Sequence, residues 1–293
     1  MTFADGIWHQ IFSFDNYSEL LELVRNSLIA GAALGLVGGL VGVFVIMRDL
    51  PFAVHGISEL SFAGASAALL LEVNVVAGSI IGSLVAAGTI GVLGARARDR
   101  NSVIGILMPF GLGLGVLFLA LYKGRAANKF GLLTGQIVAV DTPQMNWLLG
   151  TSALIMVALA VLWRPLAFAS ADPDVAEARG VPVRAVSVAF MIVLGLAVAL
   201  SVQVVGALLV LTLLVTPAAA AARITASPVL LPLLSVVFAV VSIEGGILLA
   251  LGSSIPISPY VTTISFTVYV ACRLVGTYRT RRWGAGRTVP QPV

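Results

Sequence analysis

The sequence is poor in sulfur chemistry and in charge. Of 293 residues, one is cysteine, Cys272, and two are histidine. One cysteine excludes an internal disulfide and any thiolate cluster for a metal or redox centre. Charged residues make up 10% of the chain, against about 25% in a soluble domain, which excludes an ordinary water-soluble fold. There is no G-x-x-x-x-G-K-[ST] phosphate loop, no G-x-S-x-G elbow and no H-E-x-x-H run. The chain therefore lacks the signatures of ATP hydrolysis, serine esterase and zinc protease chemistry. The net charge of +4 is not a nucleic-acid footprint, because Lys and Arg gathered in loops and the tail serve to orient a membrane protein.

What fills the chain is apolar. Hydrophobic residues are 59% and the mean hydropathy is +1.06, which places it in the membrane class. A span needs roughly 20 apolar residues. Runs of that kind fall at about 24–47, 52–71, 75–95, 103–122, 144–163, 184–205, 207–222, 228–251 and 258–276. The pattern predicts an all-α polytopic membrane protein of about nine transmembrane helices, eight being the alternative. The runs at 52–71 and 207–222 are short and marked by Gly or Pro, so either is a candidate for a broken or re-entrant segment. Residues 1–23 carry Asp5, Asp15, Glu19 and Glu22 and no basic stretch, so they read as an N-terminal segment and not as a signal peptide.

With nine spans, the basic groups Arg96–Arg100, Arg164, Arg179, Arg184, Arg223 and the tail from Arg273 onward share one side, which the positive-inside rule makes cytoplasmic. The loop 123–143, with Lys123, Arg125 and Lys129, disagrees. Glycines at 31, 35, 38, 39 and 42, at 78 and 82, and at 111, 113 and 115 suit close helix packing in lipid.

Of thirteen acidic residues only Glu59 and Glu244 fall inside apolar runs. An ionisable group at membrane depth is a functional candidate unless paired or protonated. His55 and Glu59 stand at i and i+4, which puts both on one helix face. An imidazole and a carboxylate suit Zn²⁺, Mn²⁺ or Fe²⁺ better than Cu⁺. Glu244 is the third candidate ligand and Gln203 a weaker one. The plainer alternatives are a His55–Glu59 hydrogen bond that only holds the helix in the bundle, and a protonated Glu244 bonded to a neighbouring helix.

Residues 170–182, "SADPDVAEARGVP", spell a short helix: Asp172 as N-cap, Pro173 at the first position, Gly180 past the end and Pro182 as the stop. Two turns are too few to be stable alone. The segment either packs on its own bundle as a surface turn or docks in a groove of a soluble partner as a coupling helix.

Four stretches carry a family resemblance: "GVFVIMRDLPFAVHGISELSFAG" (42–64), "FASADPDVAEARGVPV" (168–183), "QVVGALLVLTLLVTPAAAAARI" (203–224) and "GSSIPISPYVTTISFTVYV" (252–270). Together the chain resembles the membrane permeases of bacterial ABC importers for zinc, manganese and iron (the ABC-3 type) over roughly residues 24–276. Two departures are visible. Where the family places Asp and then His four apart, this chain has His55 and then Glu59, and the segment after Pro256 lacks the family's glycine.

The resemblance implies a bundle like that of the vitamin-B12 permeases, in the bacterial plasma membrane. The permease domain would span 24–276 and the basic cytoplasmic tail 277–293. It implies separate cytoplasmic ATP-binding subunits, an extracytoplasmic metal-binding protein, and a second copy or a sister permease. It implies no permanently bound cofactor, with Zn, Mn or Fe as cargo. His55, Glu59 and Glu244 would then be transient ligands, Gln203 and Pro217 would border the path, and Asp172, Pro173, Ala176, Glu177 and Gly180 would couple to the ATPase. The alternatives are a permease for iron chelates or cobalamin, a proton-driven secondary transporter with Glu59 and Glu244 as relays, and a purely structural membrane subunit.

Overall fold

The computed structural model describes residues 24–93, 97–125, 129, 131–133, 142–251 and 256–284. The expected segment 1–23, much of the loop 123–143, and the tail beyond Gly284 lie outside the described residues, as do the side chains at 97–99, 142–144, 208 and 280–284. Among the described residues every regular element is a helix. In chain order they are α1 (Arg25–Met47), α2 (Pro51–Leu70), α3 (Val75–Leu93), α4 (Ala97–Leu121), α5 (Thr142–Ala171), α6 (Pro173–Ala178), α7 (Val183–Val205), α8 (Val210–Leu214), α9 (Thr216–Ile224), α10 (Leu230–Leu251) and α11 (Ile257–Gly284). A 3-10 turn, Ala207–Leu209, precedes α8.

Seven of these, α1 to α5, α7 and α10, are long and apolar enough to cross a membrane. The protein is an all-α polytopic membrane protein. The run at 52–71 forms one unbroken helix, α2. The run at 207–222 is broken into the 3-10 turn, α8 and α9. Pro217 explains one break: it has no N–H and suits only the first turn of a helix, and it is the second residue of α9. Gly206, at φ 86°, makes the other, since that backbone region favours glycine.

Small residues set the packing. On α1, Gly31, Gly35 and Gly39 face Ile243, Val240 and Val236 of α10, so the two helices run antiparallel. A Cβ on Gly39 would stand 2.6 Å from the Val236 Cα, and the Ser235 hydroxyl donates to the Gly39 carbonyl at 2.7 Å. Apolar burial cannot hold helices together in lipid, whose tails are equally apolar; close backbone contact and such hydrogen bonds can. The same device joins α2 to α3, where a Cβ on Gly64 would strike the Gly78 carbonyl and one on Gly82 the Leu60 carbonyl. Ser61 and Ser79 hydroxyls bond across that contact at 2.7 Å. On the other side of α2, Gly56 meets Ile104 and Gly111 meets Glu59 and Leu60, so α4 runs parallel to α2. The helix α2, which carries both candidate ligands, is thus clamped between α3 and α4.

The broken segment is also held. Ser258 donates to the Val205 carbonyl at 3.0 Å, Ser265 donates to the Thr212 carbonyl at 3.2 Å, and Gly276 abuts the Arg223 carbonyl. Each pair is 53 positions apart. The chain from 205 to 223 therefore runs beside α11 in one direction and one register.

Candidate functional site

The site begins at the turn into α2. The helix α1 ends in a left-handed residue, Asp49 at φ 52°. Its N–H bonds the Ile46 carbonyl at 3.3 Å, and the Leu50 N–H bonds Val45 at 2.9 Å. This is the paired closure that satisfies the last carbonyls of a helix. Pro51 then opens α2 at a position where a missing N–H does no harm. His55 and Glu59 follow on consecutive turns.

His55 Nε2 lies 3.7 Å from Glu59 Oε1. That is ion-pair range, too long for a hydrogen bond. The closed pair that would merely fasten the helix is therefore not formed. Two metal–ligand bonds of about 2.1 Å at a tetrahedral angle span about 3.4 Å, close to this separation. The His55 carbonyl accepts from the Ser58 hydroxyl at 2.8 Å, which keeps Ser58 turned back onto its own helix. Exposure grades along the face. Glu59 is 5% exposed and His55 29% as side chains, and Phe52, one turn earlier, is 71% exposed. Phe52 was not singled out from the sequence, although its spacing of three from His55 places it on the same face.

Glu244 sits elsewhere. It lies on α10 against Gly31 of α1, where a Cβ would stand 2.9 Å from its Oε1. That oxygen is buried with no hydrogen-bond partner, so the bonded glutamate of the plainer reading is absent at this atom. The fold does not gather Glu244 with His55 and Glu59: among the described residues no group of three His, Cys, Asp or Glu stands ready to hold a metal. Of the three candidate ligands, only His55 and Glu59 stand together. Gln203 occupies the last turn of α7, three residues before the break at Gly206, and its Nε2 is likewise buried and unpartnered. Pro217 is buried at the start of α9.

The short helix follows its sequence closely. Asp172 Oδ1 accepts from the Val175 N–H at 3.0 Å, and Pro173 is the first helical residue. Gly180 takes φ 84°, with its N–H bonded to Glu177 at 2.9 Å and the Val181 N–H to Ala176 at 3.0 Å. Ala176 is fully buried, whereas Asp172, Asp174, Val175 and Glu177 are exposed. The helix thus rests on its own bundle through one side and presents acidic and apolar groups outward.

A sequence model described as the ABC 3 transport family matches residues 20–276. The chain is 28% identical over 237 residues to the manganese transport system membrane protein MntC of Halalkalibacterium halodurans, covering 80% of this chain and 81% of that one. It is 30% identical over 212 residues to the manganese import system permease protein ScaB of Streptococcus parasanguinis, covering 72% and 75%. Among solved structures, PsaBC from Streptococcus pneumoniae in complex with Fab superposes with a TM-score of 0.78 at 25% identity, covering 87% of this chain and 95% of that one.

Proposed function

The chain belongs to the ABC 3 transport family, and we infer from that membership that it is the membrane-spanning permease subunit of an ATP-driven importer of divalent metal ions. It is not an enzyme: ATP hydrolysis resides on a separate subunit. It is a multi-pass protein of the bacterial plasma membrane, and the metal is cargo.

The observation that carries a path assignment is the open His55–Glu59 pair, together with the rise in exposure from Glu59 through His55 to Phe52 along one face of α2. We place the translocation path against that face. His55 and Glu59 supply two ligands; a second copy of this chain, or a sister permease, across a two-fold axis supplies the others. A carboxylate and an imidazole suit Mn²⁺, Zn²⁺ and Fe²⁺, and the names of the two curated relatives put manganese first among the ions to test. A site with few ligands per chain binds weakly enough to release, as conduction requires. Glu244 acts as a further transient ligand or charge partner at another level of the path. Gln203 and Pro217 border it where α7 gives way to the broken segment.

We place nine crossings in the membrane, in a bundle like that of the vitamin-B12 permeases. Seven are the long apolar helices. The eighth is the broken segment: the chain from 205 to 223 keeps pace with α11, and the 18 steps between them, if helical, advance about 27 Å, close to the roughly 30 Å core of a bilayer. The ninth is α11. The contacts of α1 with α10 and of α2 with α3 and α4 all fit strict alternation of direction. The permease domain is 24–276, its coupling element 172–180, and the tail 277–293 is cytoplasmic. The exposed groups of α6 dock on the ATPase, and an extracytoplasmic binding protein delivers the metal.

Metal accumulation in a strain lacking this chain tests the reading. Wild type restores uptake, and His55→Ala and Glu59→Gln do not. Full uptake by both variants at normal membrane levels would remove these residues from the path.

A further inference from the structure

Arg48 stands at the end of α1, beside the helix that carries the proposed metal ligands, yet its side chain reaches α7. Its Nη2 donates to the Ser187 hydroxyl, and its guanidinium lies over the Phe190 ring, 5.9 Å from the centroid. The Ser187 hydroxyl in turn donates to the Val183 carbonyl at 2.8 Å, and Val183 is the first residue of α7. The ring seat is itself fixed. Phe44, one turn before Arg48, packs edge-on against Phe190 at 5.9 Å and against Trp163 of α5 at 5.0 Å. The two helices that flank α6 are therefore both tied to the last turn of α1.

The connections on either side of this link are stiff. Between α6 and α7, the N–H groups of Arg179, Gly180, Val181 and Val183 are all hydrogen-bonded to backbone carbonyls, and residue 182 is proline. Between α1 and α2, the N–H groups of Asp49 and Leu50 are bonded likewise and Pro51 follows. A displacement of α6 thus has a continuous route through Val183, Ser187 and Arg48 to α2.

The choice of arginine is informative. The guanidinium has five donors, its Nη1 is buried without a partner, and no carboxylate pairs with it among the described residues. Burial holds its pKa below the ordinary arginine value, and the like charge of Arg100 adds to that. An apolar residue would fill the same space at lower cost. Arginine can do what an apolar residue cannot: stay docked on a ring while its N–H groups change acceptors as α7 shifts.

We propose that Arg48 is a positioning residue that transmits movement of the short helix α6 to the metal-ligand helix α2. The proposal rests on the importer reading above and adds to it the residue through which hydrolysis is coupled to the path.

The test uses the permease purified with its ATPase and reconstituted in proteoliposomes together with the extracytoplasmic metal-binding protein, with Mn²⁺ uptake and ATP hydrolysis measured on one preparation. In Arg48→Met, uptake is expected to fall roughly tenfold while hydrolysis stays within about twofold of wild type. Arg48→Lys, which keeps a charged donor, should recover most of the uptake. Ser187→Ala, which removes one hydroxyl, should show the same split at smaller size. A parallel fall of uptake and hydrolysis in Arg48→Met and Ser187→Ala would mean a structural role only, and unchanged uptake in both would mean none; either overturns the proposal while leaving the importer reading standing. A wild-type complex that hydrolyses ATP but moves none of Mn²⁺, Zn²⁺ or Fe²⁺ sinks the importer reading, and the proposal with it.

Discussion

Gly31 on α1 and Glu244 on α10 fit together because one has no side chain: a Cβ at Gly31 would stand 2.9 Å from Glu244 Oε1. It would also stand 2.8 Å from the Ile243 Cγ2 and the Ile247 Cδ1. The glycine leaves room for a carboxylate that no hydrogen bond satisfies at that oxygen.

Gly31→Val should therefore destabilise the bundle by about 1–3 kcal/mol, the usual range for overpacking. Gly88 is the control, since a Cβ there meets nothing within 4 Å. Gly88→Ala should be neutral or stabilising by about 0.5–1 kcal/mol, because alanine is the better helix former. Thermal unfolding in detergent separates them, and equal melting temperatures would contradict the packing argument.

The ligand pair allows a sharper exchange. The double variant His55→Asp, Glu59→His restores the order common in the family while keeping one carboxylate and one imidazole at i and i+4. If the residue types on the shared face are what matters, it should retain Mn²⁺ uptake within about threefold, while His55→Ala loses roughly tenfold or more. Loss of uptake in the double variant, with the protein present in the membrane, would show that order or arm length is decisive.

Glu244→Gln removes a half-buried acid, one of whose oxygens is buried and unpartnered, while keeping its shape. Relieving that desolvation should hold or raise the melting temperature. A path role predicts that metal uptake nevertheless drops. Higher stability with wild-type uptake would assign Glu244 to packing alone.

The short helix should respond at both ends. Asp172→Ala removes the N-cap, worth about 1 kcal/mol, and Gly180→Ala forces a side chain to φ 84°, worth about 1–2 kcal/mol. Both should weaken recovery of the ATPase with the purified permease. Glu177→Lys should do the same by reversing charge on the exposed face while leaving the helix intact. Undiminished ATPase recovery in all three would mean that α6 is not the docking element.

The proposed orientation in the membrane makes a labelling prediction. Cys272 is buried, so the wild-type protein should resist an impermeant maleimide. Asn74→Cys, in the exposed turn between α2 and α3, should label in intact cells, and Glu177→Cys only after permeabilisation. The reverse pattern would invert the topology.

The features decided within a few residues of chain were legible in the sequence. Asp172, Pro173 and Gly180 bound their helix through local backbone chemistry, and the structure shows each in its expected place. The seven long helices were legible because each satisfies its own backbone within an apolar run, as lipid requires. The shared face of His55 and Glu59 follows from helical spacing alone. What the spacing does not contain is the environment of that face. The 3.7 Å separation of the pair, the burial of Glu59 and the exposure of Phe52 depend on α3 and α4 clamping α2 through glycines tens of residues away. The same holds for Glu244, whose distance from the other candidate ligands is set by the pairing of α1 with α10. It holds too for the broken segment, whose course is fixed by serines on α11 bonding carbonyls 53 positions back. Periodicity and capping are short-range and written along the chain. Which small residue meets which backbone is long-range, and only the assembled bundle decides it.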